Sequence, residues 1–230
     1  MNQSSATEFA RHSFENHFFS IVDWISSNLK LPHAFLRFPS YPGMSVVING
    51  QRVLDFNFLS RPLCGVASNY NIVPTTTEAA CFVPYGRNGP MVSINTEELT
   101  SEAIKAGIRE EALLEILLLH ELVHASMMGH IAQIQANHPW VMSHAFRYIH
   151  EAVALKVSEF GFSSFIESAT AEDVNKYLTY IQLESKTRAD GAFYQPYFLE
   201  YQEVDLGDFW HRLRGSQPAP GIFELVENCK

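Results

Sequence analysis

The chain holds only three cysteines, Cys64, Cys81 and Cys229, in 230 residues. An odd, scattered set does not make a disulfide framework, and none of the three has the paired spacing of a zinc cluster. No stretch approaches 18 apolar residues, so no membrane-spanning helix is expected. The first residues, Met1-Asn2-Gln3-Ser4-Ser5, lack a basic region followed by an apolar run, and no ordinary secretory signal is read there. Basic clusters are missing too. The net charge of −9 argues against a nucleic-acid partner and favours a neutral or basic one. No internal repeat, low-complexity tract or linker divides the sequence.

What is present is apolar. A hydrophobic content of 47% over 230 residues is enough for one sizeable core, so residues 1–230 are read as a single domain. Strand signals cluster early. Ser45-Val46-Val47-Ile48 and Arg52-Val53-Leu54-Asp55-Phe56 flank Asn49-Gly50, the dipeptide of a tight hairpin turn. Ala79 to Tyr85 and Pro90 to Asn95 flank Gly86-Arg87-Asn88-Gly89 and read as a second hairpin. Helical patterns dominate later, and Ala171 to Leu183 is one of them. At the amino-terminal end Phe9, Phe14, Phe18, Val22 and Ile25 recur at helical spacing up to Leu31-Pro32, a stripe suited to packing on the domain. The expected class is therefore α+β: a strand-rich part over about 33–96, a small mixed or antiparallel sheet, then a mainly helical part over about 100–230.

The most informative segment is His120-Glu121-Leu122-Val123-His124, an H-E-x-x-H pattern. Arg109 to Leu119 precede it with strong helix formers and no Gly or Pro. From Leu113 to Val123 apolar residues surround the whole helix, which marks one buried through the centre of a domain. Positions i and i+4 share a helix face, so the two imidazoles can converge on one metal at roughly 2.0–2.1 Å. Glu121 is rotated by about 100 degrees and stands beside that point. It is placed to act as general base on a zinc-bound water, whose pKa the metal lowers to about 7. Against this stands a simpler reading, in which core hydrogen bonds satisfy all three side chains. Zinc is favoured because the three polar residues fall in the register its chemistry requires.

A catalytic zinc needs a third protein ligand and an open position. His130 follows His124 by the spacing of the longer H-E-x-x-H-x-x-G-x-x-H pattern, but Met127 stands where that pattern has its glycine, which comes later as Gly129. If the helix continues to Gly129, His130 emerges about 9 Å further along the axis and on another side. Glu151 is the other candidate. Asn137-His138-Pro139-Trp140 reads as a break, and a helical pattern resumes from Val141 to Phe160. On it Phe146, Ile149, Val153, Val157 and Phe160 form an apolar stripe, and Glu151 sits among Ala152, Val153, Ala154 and Leu155. An Arg147–Glu151 surface pair would be the ordinary alternative, worth on the order of 0.2–0.5 kcal/mol. Glu151 is preferred over His130, other third ligands stay open, and His144 shares a face with Glu151.

His120 to His124 with Glu151-x-x-Ala154 on a later helix resembles the gluzincin branch of the zincin metallopeptidases, to which thermolysin-type enzymes belong. The resemblance covers roughly residues 90–160. It implies His120, His124 and Glu151 as ligands of one Zn2+ per chain, Glu121 as general base, and a protein or peptide as substrate. The interval from His124 to Glu151 is longer than in thermolysin-type enzymes, and Leu155 stands where they have an Asp. In such families an exposed edge strand precedes the active-site helix and holds the substrate backbone, and Met91 to Asn95 is the strand suggested for it. A later Tyr or His stabilises the oxyanion, a role open to Tyr194, Tyr197, Tyr201 or His211.

Three readings follow: a zinc endopeptidase using Glu151; a metzincin-like peptidase with His130 as third ligand; and a non-catalytic protein whose zinc only stabilises a binding module. Glu121 argues against the last, because a structural site normally closes with four protein ligands. No further cofactor is implied, and oligomeric state is not indicated. A cytoplasmic enzyme fits, and so does a bacterial effector exported without a classical signal.

Overall fold

A computed structural model describes residues 1–29, 43–57, 65–66, 78–86, 89–137 and 167–187. Its elements are α1 (Gln3–Leu29), β1 (Gly43–Ile48), β2 (Gln51–Asn57), β3 (Gly65–Val66), β4 (Ala80–Gly86), β5 (Gly89–Ile94), α2 (Thr96–Ala106), α3 (Glu110–Asn137) and α4 (Ala171–Thr187). The class is α+β with a mixed sheet. No helix among the described residues is long and apolar enough to cross a membrane.

Both expected hairpins form. Ile48 pairs with Gln51 across Asn49-Gly50, and these two residues have φ of 51° and 79°, the left-handed pair that a two-residue turn needs to match strand twist. Asn49 does more than turn the chain. Its side-chain oxygen accepts from the Thr96 backbone N–H at 2.9 Å and its amide donates to the Thr96 hydroxyl at 2.8 Å, which fixes the start of α2 against the hairpin. In the second hairpin Ala80 to Val83 pair antiparallel with Met91 to Ile94.

The sheet order is β3-β2-β1-β5-β4, and β1 joins β5 in parallel, Ser45 opposite Met91 and Ile48 opposite Ile94. This order corrects the edge-strand expectation: Met91 to Ile94 lie inside the sheet, paired on both sides, and among the described residues β4 is the edge. The physical reason is burial. Met91, Val92, Ser93 and Ile94 are all buried, as in strands covered on both faces. The sequence did carry a signal for the true edge, since Pro84 within β4 has no N–H to give a neighbouring strand.

Helix boundaries follow capping chemistry. Asn95 accepts from the N–H groups of Glu97 and Glu98 to open α2, and Gly107 at φ 66° closes it, with Ile108 N–H bonded to the Ala103 carbonyl at 3.0 Å. A Cβ at Gly107 would meet nothing within 4 Å, so the only cost of Gly107→Ala is the left-handed backbone. We expect a loss of about 1 kcal/mol by urea unfolding; no loss would show that the cap geometry is not needed.

One core joins these elements. Ala6, Ala10 and Phe14 of α1, Met44, Val46 and Ile48 of β1, Leu54 and Phe56 of β2, Val92 and Ile94 of β5, Leu99 of α2, and Val174 and Tyr177 of α4 pack with α3. Phe14 meets Phe56 of β2 edge-on, with ring centroids 5.6 Å apart. Helix α3 occupies the middle, and every residue from Ala112 to Ala125 is buried. It contacts β4, α1, α2 and α4.

Candidate metal centre

His120, Glu121 and His124 lie on the buried length of α3, at 9%, 6% and 5% exposure. The helical repeat stacks the two imidazoles one turn apart, with ring planes 80° from parallel and centroids 4.6 Å apart. Their Nε2 atoms are 2.9 Å from each other. That is hydrogen-bond distance, with the donor set by the tautomers of the two rings. The same convergence suits a metal, because two nitrogens sharing a tetrahedral ion at about 2.0–2.1 Å sit about 3.3–3.4 Å apart. Opening the pair by about half an ångström takes a small rotation of either ring. Two neutral imidazoles are borderline donors matched to zinc.

Other predicted residues stand differently. The α3 backbone stays helical through Gly129 and His130 to Asn137. The His130 backbone therefore sits about 9 Å further along the helix axis than that of His124 and at another angle around it, as the helical repeat dictates; its side chain lies outside the described residues. Glu151, His144, Tyr194, Tyr197, Tyr201 and His211 all lie outside the described residues.

A further charged residue inside α3 escaped the sequence reading. Glu115 is 3% exposed, and its carboxylate accepts three backbone N–H groups, from Glu167 at 2.8 Å, Ser168 at 2.9 Å and Ala169 at 2.6 Å. This clamps the segment entering α4 onto the same helix that carries the histidines. Arg109 reinforces the contact by donating to the Ser168 carbonyl at 2.6 Å. The signal was present: Glu115 interrupts an otherwise apolar run, and a buried carboxylate must have partners. Its partners lie some fifty positions away, beyond the reach of periodicity.

The clamp also presents Glu167 to α1. His12 Nε2 lies 3.0 Å from Glu167 Oε2, and His17 Nε2 lies 3.6 Å from Glu167 Oε1. Burial of His17 holds its imidazole below the usual value, with Glu167 and Glu115 opposing that shift and His12 adding to it. The hydrogen bond from His12 holds the Glu167 carboxyl below the usual carboxylate value. Both directions favour the forms that bind metals, neutral imidazole at His17 and ionised carboxylate at Glu167.

No protein-family model matches this sequence, and neither a curated protein nor a solved structure matches it.

Proposed function

We propose that this chain is a zinc-dependent metallopeptidase of gluzincin-like type, acting as an endopeptidase on a protein or peptide. The observation that carries the proposal is the meeting of His120 Nε2 and His124 Nε2 at 2.9 Å on a buried helix, with Glu121 next to His120 in the chain and buried as well. Glu151 is assigned as third ligand. The continuation of α3 through Gly129 weighs against His130, which would need the helix to end so that the chain could fold back.

In this proposal His120 and His124 hold the ion through Nε2. Zinc bound there supplies Lewis acidity, making water acidic enough to ionise near neutral pH and polarising the scissile carbonyl. Glu121 takes the proton from the attacking water and delivers it to the departing amine, so the carboxylate begins and ends ionised. Burial keeps bulk water from this proton transfer and strengthens every charge interaction in the site. The strand β4 lies against α3 and is the edge of the sheet among the described residues, the position at which an extended peptide can add as a further strand.

Metal content tests the proposal. After exhaustive dialysis against zinc and then against metal-free buffer, elemental mass spectrometry should find one tightly held zinc per chain. His120→Ala and Glu151→Ala should lose it, and His130→Ala should keep it. No retained zinc in the wild type would overturn the assignment. Loss with His130→Ala in place of Glu151→Ala would transfer the third position to His130.

A further inference from the structure

His12 and His17 do not belong to the α3 site, yet with Glu167 they form the arrangement a metal needs. The three ligand atoms, two imidazole nitrogens and a carboxylate oxygen, lie within 4.8 Å of one another. The histidine–carboxylate separations of 3.0 and 3.6 Å bracket the edge of about 3.3 Å between donors on a tetrahedral ion. A divalent cation satisfies both rings and the carboxylate together.

The surroundings hold the donors in place. The Glu167 backbone is anchored, because its N–H is bound to buried Glu115 at 2.8 Å. His17 is 8% exposed and fixed in the packing of α1. The side-chain amide of Asn16 sits 2.9 Å from Nδ1 of His12. Turned over, that amide would accept the Nδ1 proton, the orienting bond that ligating histidines commonly make.

We propose that His12, His17 and Glu167 form a metal site, separate from the His120–His124 pair, that takes a divalent transition metal of the zinc class and fastens α1 to the segment entering α4. The donor set of two imidazoles and one carboxylate selects such ions over calcium or magnesium, which prefer oxygen. The ligands come from points far apart in the chain, so occupancy opposes separation of α1 from the rest of the core. Solvent completes the coordination, because His12 and Glu167 are each more than half exposed, at 54% and 56%. The ion is accordingly held less tightly than one at a closed site.

Equilibrium dialysis of the full chain at pH 7.5 against micromolar free zinc is the test. Wild-type protein should bind one zinc per chain more than His12→Gln or Glu167→Gln. Glu15→Gln, which alters an exposed carboxylate on the same helix outside the cluster, should bind as wild type does. Both test positions are exposed enough for the variants to fold, and a second reading guards against the contrary: zinc should raise Tm in wild type by more than in either variant. Equal zinc binding by wild type, His12→Gln and Glu167→Gln overturns the proposal. The comparison between variants leaves His120 and His124 untouched, so its outcome does not depend on the metallopeptidase reading.

Discussion

Replacing Glu121 by Gln should reduce peptide hydrolysis by about 10²–10⁴-fold, the usual contribution of a positioned general base, while zinc content and unfolding midpoint stay near those of wild type. The amide is nearly isosteric with the carboxylate and keeps the side chain polar in a position only 6% exposed. It cannot accept the proton from water at neutral pH. The assay is turnover of a denatured protein carrying self-quenching fluorophores, a substrate that makes no assumption about cleavage sequence. Retained turnover would remove Glu121 from the mechanism even if the metal remained. His120→Ala should lose turnover and zinc together, and that contrast separates loss of the base from loss of the site.

The second large effect is expected at Glu115. Glu115→Ala would withdraw the acceptor from three backbone N–H groups at once and open a void in the fully packed part of α3. Hydrogen bonds to a charged acceptor are worth more than neutral ones, and donors near the surface recover part of the loss by binding water. A net destabilisation of about 3 kcal/mol is expected in urea unfolding. Glu115→Gln keeps one oxygen and should lose roughly half of that. Amide hydrogen exchange supplies an independent check: the N–H groups of residues 167–169 should exchange faster in Glu115→Ala, whereas those at the start of α3 should change less. A loss below about 1 kcal/mol would mean that the clamp seen around Glu115 contributes little beyond what water supplies.

These two residues show what could be read from the sequence. Glu115 and Glu121 both interrupt the same apolar helix, and both demanded an explanation. Glu121 is legible as a candidate because His120 and His124, which complete its motif, are four residues apart on the same helix. Glu115 is not, because its partners belong to a segment that only tertiary folding brings near. The same distinction runs through the sheet. The Asn49-Gly50 turn and the Gly86–Gly89 turn were legible because each is set by a few adjacent residues. Whether β4 or β5 faces outward depends on β1 pairing with β5, and hairpin patterning is blind to that choice. His12, His17 and Glu167 had no local signature at all: the two histidines are five apart, which is neither a strand nor a helix-face interval.

The parallel pairing of β1 with β5 has a kinetic side. Each hairpin closes a turn of a few residues and can form early, within the microseconds typical of such local events. The β1–β5 ladder instead joins Ser45 to Met91 and Ile48 to Ile94, and its formation must bring distant parts of the chain together before any bond rewards the loss of freedom. The seam through the middle of the sheet is therefore expected to close late in assembly. Until it closes, the apolar runs of β1 and β5 present bare strand edges to whatever lies nearby, and it is there that a newly made chain is most exposed to mispairing with its own copies.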